Sequence, residues 1–482
     1  MLAFRPVGYI VGWLVLALGF VMFLPLAVDV ALGDGNAPGF AEAAVLTIAF
    51  GAGLTLACAQ AGDLRLGLRQ AFALTTVTWM VYPAVGALPF MLGLPGLGPT
   101  DAYFEAMSAM TTTGATVITG LDDLPHGILL WRGLLQWIGG MGIVLMALLL
   151  LPVLNVGGMQ LLRASDFNTL GKIMPRTKQI ALSIGSVYLG LTVACAMGYE
   201  ASGMNGFNAA VHAMTTLSTG GMGTSDSSFA GFSPAAQYVS TVFMLLGSLS
   251  FARYVQLARG DAGALWHDTQ IRAFLAVYVA FVLGMLVARL AGSARLDETV
   301  VREVAFNVAS MLSSTGYASA DFILWGNPSV MIFFIIMLIG GCSGSTAGGV
   351  KVFRYELLFS AVRAELRRLY RPNIVILARY QGRTVSPQVM DSVIAFFMLY
   401  FLSLGIIAVV LVLLGLDPMS AITGAASCLG NVGPGLSPEI GPVASYVDVP
   451  GAAKWVMSAA MMIGRLEIMV VFVLFSTAYW RG

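Results

Sequence analysis

Stretches of about 20 apolar residues, the length that crosses a bilayer core, recur ten times in this chain: at 8–31, 40–61, 70–92, 127–154, 179–197, 235–258, 272–290, 328–350, 389–414 and 452–480. Few folds are open to such a sequence. Backbone polar groups in hydrocarbon must be paired within their own segment, so the chain reads as an all-helical polytopic membrane protein. Its 482 residues are 58% hydrophobic and 10% charged, and the mean hydropathy is +0.85, which removes the soluble globular classes. A net charge of +1 offers no basic surface to nucleic acid and no acidic tail. Cys58, Cys195, Cys342 and Cys428 are scattered without a CxxC pair; they read as reduced packing residues, not as a disulfide scaffold or a zinc site. The apolar run after Arg5 is too long for a signal-peptide core and lacks a small-x-small cleavage site, so it is expected to be a retained first span.

Between spans three and four, five and six, seven and eight, and nine and ten lie shorter segments, such as 101–113 and 417–428, that can be helical but cannot cross. Each ends in a short polar run: TTTGAT at 111–116, LSTGGM at 217–222, SSTGYA at 313–318 and LGNVGP at 429–434. With Gly114, Gly221, Gly316 and Gly433 as markers, the spacings are 107, 95 and 117 residues. A repeat near 100 residues signals an array of one unit. The predicted order is two leading spans (1–66), then four copies of span, short helix, polar run and span, at 67–178, 179–270, 271–387 and 388–482.

Non-helical backbone is tolerated at membrane depth only where it is buried in protein or lines a water-filled path. A short helix whose C-terminal end points at the membrane centre favours a cation there. Glycine then permits the sharp turn that aims carbonyls inward, and a ring of carbonyls replaces the water around a potassium ion. The first three runs share these features, whereas the fourth has Asn431, Val432 and Gly433 in place of Thr-Thr-Gly.

A second stretch, LIGGCSGSTAGGVKVFR at 338–354, must break the closing span of the third unit. It lacks the GxxxxGK[ST] spacing and a preceding strand, so a movable obstruction under an ion path fits it better than a phosphate loop. A third, IGRLE at 463–467, puts Arg465 within the last span; Arg465 either reaches the glycine-rich loop or pairs locally with Glu467. Arg253, Arg289 and Asp391 read as snorkelling residues near span ends. Basic residues concentrate at 351–387 (Lys351, Arg354, Arg363, Arg367, Arg368, Arg371, Arg379, Arg383) and 157–178 (Arg163, Lys172, Arg176, Lys178). Those loops are expected to be cytoplasmic, with both termini on the same side. The loops with the polar runs carry Asp101, Glu105, Asp122, Asp123, Glu200, Asp226 and Glu439, as expected of an outer mouth that collects cations; the third loop also holds Arg295 and Arg302.

Together the four runs, QWIGGMGI at 136–143, GGCSGSTAGG at 340–349, NVGPG at 431–435 and GRLE at 464–467 resemble the TrkH proteins of the Trk/Ktr/HKT superfamily over essentially the whole chain. The resemblance implies four M1-P-M2 units (span, pore helix, filter loop, span) around a central pore, preceded by two extra transmembrane helices. It implies potassium as the transported ion with no cofactor in this chain, and a bacterial inner-membrane location. It also implies a homodimer that binds a cytosolic TrkA-type nucleotide-sensing regulatory subunit. Carried onto this sequence, the potassium filter falls at Thr112, Thr113 and Gly114; at Thr219 with Gly220 or Gly221, between which the sequence does not choose; at Thr315 and Gly316; and at Asn431, Val432 and Gly433. The gate falls at Gly340, Gly341, Gly344, Ser345, Thr346, Gly348 and Gly349, with Lys351 and Arg465 beside it. Met222 stands where the family more often has an aromatic, and Ser319 where threonine is frequent; neither change removes a carbonyl.

An ion-coupled secondary transporter of another solute would also use broken helices, but it predicts inverted halves and committed buried charges. A haem or quinone subunit needs axial ligands, and His126, His212 and His267 are not paired within any span. No nucleophile, base and orienting acid cluster, so an enzyme is not expected.

Overall fold

The computed structural model describes residues 4–59, 67–150, 158, 177–292, 295–371 and 379–481. The ends of the second and fourth expected spans, at 60–61 and 151–154, lie outside the described residues, as do the basic positions Arg163, Lys172 and Arg176. Among the described residues the only strands form a small hairpin, Arg379–Tyr380 against Arg383–Thr384.

Over the described residues each of the ten expected spans contains a helix, in three forms. Seven are long and apolar enough to cross as they stand: Arg5–Leu32, Ala37–Ala57, Leu68–Leu92, His126–Leu148, Lys178–Ala201, Thr269–Ala291 and Pro387–Leu413. The sixth and tenth are bent pairs, Pro234–Gly247 with Phe251–Ala258 at 93° and Gly451–Arg465 with Ile468–Leu474 at 111°. The eighth is the short helix Asn327–Met337, after which residues 338–351 leave the helix before it resumes at Val352–Tyr370.

The two bends correct the reading of 235–258 and 452–480 as continuous spans. At the first, the freed backbone groups are taken up by the glycine-rich loop: the Ser248 carbonyl accepts from Cys342 N–H at 2.9 Å, and Phe251 N–H donates to the Gly344 carbonyl at 3.0 Å. At the second, Glu467 adopts φ +65° and its carboxylate meets Arg354 at 2.5 Å. A helix can break inside a membrane protein where protein partners satisfy the exposed amides and carbonyls, and here the loop occupies the space that a straight inner half would fill.

Four short helices, Pro99–Met110, Gly206–Leu217, Glu298–Leu312 and Pro418–Gly430, extend only roughly 18–23 Å at 1.5 Å per residue. Their starts are written locally. Asn205, Asp297 and Asp417 accept from the first-turn amides of the last three, and Pro99 opens the first. Within the leading pair of spans, close approach depends on small residues: a methyl at Gly51 would stand 2.7 Å from the Leu16 amide nitrogen.

The connection between the leading spans also caps the fourth. Asp34 accepts from His126 N–H at 2.8 Å and sits 2.8 Å from the His126 ring nitrogen Nδ1. That amide hydrogen bond is the chief reason its carboxyl is held below the usual carboxylate range. A depressed folded-state pKa stabilises the protein above the unfolded value, and the contribution is lost as pH falls through the folded value. Asp34→Ala is therefore expected to cost about 1 kcal/mol at pH 7. Thermal unfolding in detergent should show the difference from wild type closing below about pH 4.

Candidate ion path and its inner closure

Each short helix ends in the same turn. Thr112 (φ +51°), Thr219 (+49°), Ser314 (+57°) and Asn431 (+53°) take the left-handed conformation, and two residues later so do Gly114 (+88°), Gly221 (+76°), Gly316 (+86°) and Gly433 (+107°). The register places Gly221 with the other three glycines, and Gly220 with Thr113, Thr315 and Val432. It also adds Ser314, which the sequence reading of the third run left out. Counting back from the glycine in SSTG against TTTG is the signal that finds it.

The four turns close on one another. A methyl at Gly114 would fall within 3.0 Å of the Gly220 carbonyl oxygen, one at Gly221 on that of Thr315, one at Gly316 on that of Val432, and one at Gly433 on that of Thr113. The fourth run thus backs onto the first. Both the positive φ and the absence of room require glycine at these positions. The side chains of Thr112, Thr113, Thr219, Thr315 and Asn431 are fully buried and mostly tied into the protein. Thr113 Oγ1 lies 2.8 Å from Thr111 Oγ1, Thr315 Oγ1 lies 2.7 Å from Ser313 Oγ, and Asn431 Nδ2 donates to Thr113 Oγ1 (3.0 Å) and to the Met461 carbonyl (2.9 Å).

Above the ring lies an open cavity of about 280 Å³, lined by all four glycines together with Thr116, Asp226 and Tyr446. Not every acid expected at the mouth stands there. Glu105 is fully buried and ion-paired with Arg132 at 2.9 Å, and Asp101 pairs with Lys454 at 2.7 Å.

Below the ring the segment 338–351 is bonded to the second, third and fourth units, and Arg465 links it to the first. Thr346 Oγ1 donates to the Leu217 and Gly247 carbonyls at 2.9 and 3.0 Å. Gly348 N–H donates to Ser314 Oγ at 2.5 Å, and Gly349 N–H to the Gly430 carbonyl at 2.9 Å. Arg465 Nη2 completes the set, donating to Thr112 Oγ1 at 2.5 Å and to the Thr346 carbonyl at 2.7 Å. Of the two partners open to Arg465 it therefore takes the loop, while Glu467 goes to the fully buried Arg354. Lys351 (φ +75°) turns back into the loop, with Nζ 2.6 Å from the Ala347 carbonyl. Of the remaining residues, Gly344 O accepts from Phe251 N–H as above, Gly341 O accepts from Val352 N–H, and Ser345 Oγ donates to the Cys342 carbonyl at 2.6 Å. Gly340 packs on the backbone of Gly348 and Gly349. The cavity left at this level is about 20 Å³, between Met146, Gly348, Lys351 and Arg465, the volume of about one water.

The chain is thus a multi-pass helical membrane protein in which four turns meet backbone to backbone, with an open cavity on one side of them and residues 338–351 on the other. This chain belongs to the TrkH family: the family profile, described as a cation transport protein, matches residues 36–481. It is 39% identical over 473 residues to the Trk system potassium uptake protein TrkI of Halomonas elongata, covering 97% of this chain and 95% of that one. It is 35% identical to the Trk system potassium uptake protein TrkH of Escherichia coli K12, over 99% of both. The crystal structure of the potassium transporter TrkH from Vibrio parahaemolyticus superposes with a TM-score of 0.91 at 34% identity, over the full length of both chains. The family is one of transport proteins and not of enzymes.

Proposed function

We propose that this chain is the potassium-translocating subunit of a Trk-type uptake system in a bacterial inner membrane, with the four turns as its filter. The observation that carries the reading is the closed cycle of glycine and carbonyl contacts, Gly114 to Gly220, Gly221 to Thr315, Gly316 to Val432 and Gly433 to Thr113. Potassium loses its water to a ring of carbonyls, drawn inward by about 2.3 kcal/mol per charge per 100 mV. Residues 338–351 are the gate. Arg465 adds a fixed positive charge on the inner side, and an ion leaving the ring inward is repelled until that charge moves.

Control from a cytosolic TrkA-type partner fits the helix Val352–Tyr370, which continues directly from the loop and is joined to the last span through Arg354 and Glu467. Pairing with a second copy fits the same helix: Phe359, Val362, Leu366 and Leu369 are exposed at the alternating three and four spacing of a coiled-coil seam. The test is rubidium uptake into proteoliposomes holding the purified chain, driven by an inside-negative potential. Potassium is expected to compete and sodium to spare uptake; equal competition by sodium would sink the filter assignment.

A further inference from the structure

The four runs are alike at the ring and unlike just behind it. Nine residues before the ring glycine, on the inward face of each short helix, stand Glu105, His212, Asn307 and Gly424. Three residues after the glycine, the chain leaving the ring offers a backbone amide that the short helix takes up. Val117 N–H donates to Glu105 Oε2 at 2.9 Å, Ser319 N–H to Asn307 Oδ1 at 3.3 Å, and Leu436 N–H to Thr423 Oγ1 at 3.2 Å. Among the described residues the second unit shows no such tie. His212 spends Nδ1 on the Asn208 carbonyl of its own helix at 2.9 Å, and its Nε2 has no partner among the described residues.

What holds the second run comes from the first unit. Arg132, on the span that closes unit one, donates from Nη1 to the Gly223 carbonyl at 2.9 Å, two residues beyond Gly221. Its Nε is paired with Glu105 at 2.9 Å, and its Nη2 reaches Thr116 Oγ1 at 3.2 Å, two residues beyond Gly114. The Thr116 hydroxyl in turn donates to the Glu105 carboxylate at 3.0 Å. One buried ion pair, 1% and 0% exposed, thus ties the outgoing strands of two adjacent runs to each other.

We propose that Glu105 and Arg132 are positioning residues for ion selection: acting as one unit, they set the spacing of the first and second runs at the outer end of the ring. The inference rests on the filter reading above. Charge-assisted bonds in a water-poor site are short and directional, and breaking a buried pair leaves its partner uncompensated. With the clamp removed, the exits at Thr116 and Gly223 relax outward, and the ring loses its preference for the larger, more easily dehydrated cation before it loses conduction.

The experiment measures the rubidium-to-sodium uptake ratio and the melting temperature of Glu105→Ala, Glu105→Gln, Arg132→Gln and the Glu105→Gln/Arg132→Gln double variant in proteoliposomes. Asp34→Ala is the control for lost stability away from the ring, and Gly316→Ser the control for the filter. Glu105→Ala and Arg132→Gln are each expected to lower the ratio about tenfold. The double variant should do no more than either, Glu105→Gln should fall between, and Asp34→Ala should leave the ratio unchanged. An unaltered ratio in the Glu105 and Arg132 variants while Gly316→Ser loses discrimination would overturn the positioning role and leave the filter standing. An unaltered ratio in Gly316→Ser as well would remove both. Should the charge variants fail to fold, Thr116→Val keeps the shape and removes only the bridging hydroxyl; a drop in the ratio supports the clamp, and no drop overturns it.

Discussion

Deleting residues 345–348 is expected to raise rubidium uptake by the chain alone at least about tenfold. The deletion removes the two hydrogen bonds from Thr346 Oγ1, the one from Gly348 N–H to Ser314, and the Thr346 carbonyl that receives Arg465. At about 1 kcal/mol per bond, the shut state loses about 4 kcal/mol, which is more than about two powers of ten in the open-to-shut ratio. Flux rises by less, because entry and filter transit become limiting. Arg465 loses its loop partner as well and keeps only the bond to Thr112 Oγ1, so its charge is held less firmly beneath the ring. A variant that folds, keeps its potassium preference and shows wild-type uptake would mean that the closure lies elsewhere.

Gly316→Ser is expected to lower the preference for rubidium over sodium about tenfold while conduction persists. The residue must hold φ +86°, which costs a side-chain-bearing residue about 1–2 kcal/mol. Its new Cβ would also meet the Val432 carbonyl and stand 2.9 Å from Pro434 Cδ, so the third and fourth runs must part. Gly203→Ser separates strain from displacement: Gly203 holds φ +96°, with nothing within 4 Å of an added Cβ. It should lose some stability and none of the preference. A full preference in Gly316→Ser would remove Gly316 from the filter.

The spans were legible because length and apolarity are properties of a segment by itself. So were the four short helices, since 12 to 15 residues followed by a glycine turn cannot cross. The bends at 248–250 and 466–467 were not legible, because hydropathy carries no direction: Arg253 beyond the first and Arg465 and Glu467 at the second are polar positions that do not by themselves specify a turn. What forces them is the loop from another unit that fills the space beneath. The same limit governed the charges. IGRLE places Arg465 and Glu467 two residues apart, yet each finds its partner more than a hundred positions away, at Thr346 and at Arg354. Glu105 read as an acid of the mouth because it lies in a segment rich in acids next to a polar run; only the packing of Arg132 beside it shows that its charge is enclosed.

The four ring turns belong to one polypeptide, and this changes what inheritance can do with them. In an assembly of four identical chains, every mutation strikes the ring four times, so small adjustments are not available. Here a single codon alters one quarter. The fourth turn has used that freedom: Asn431 replaces a hydroxyl with an amide that ties the run both to Thr113 and to the last span, while the other three quarters keep their Thr and Ser. On the filter reading proposed above, descendants of such a gene can drift in ion preference by quarter steps, each tested by selection while three turns stay as they were.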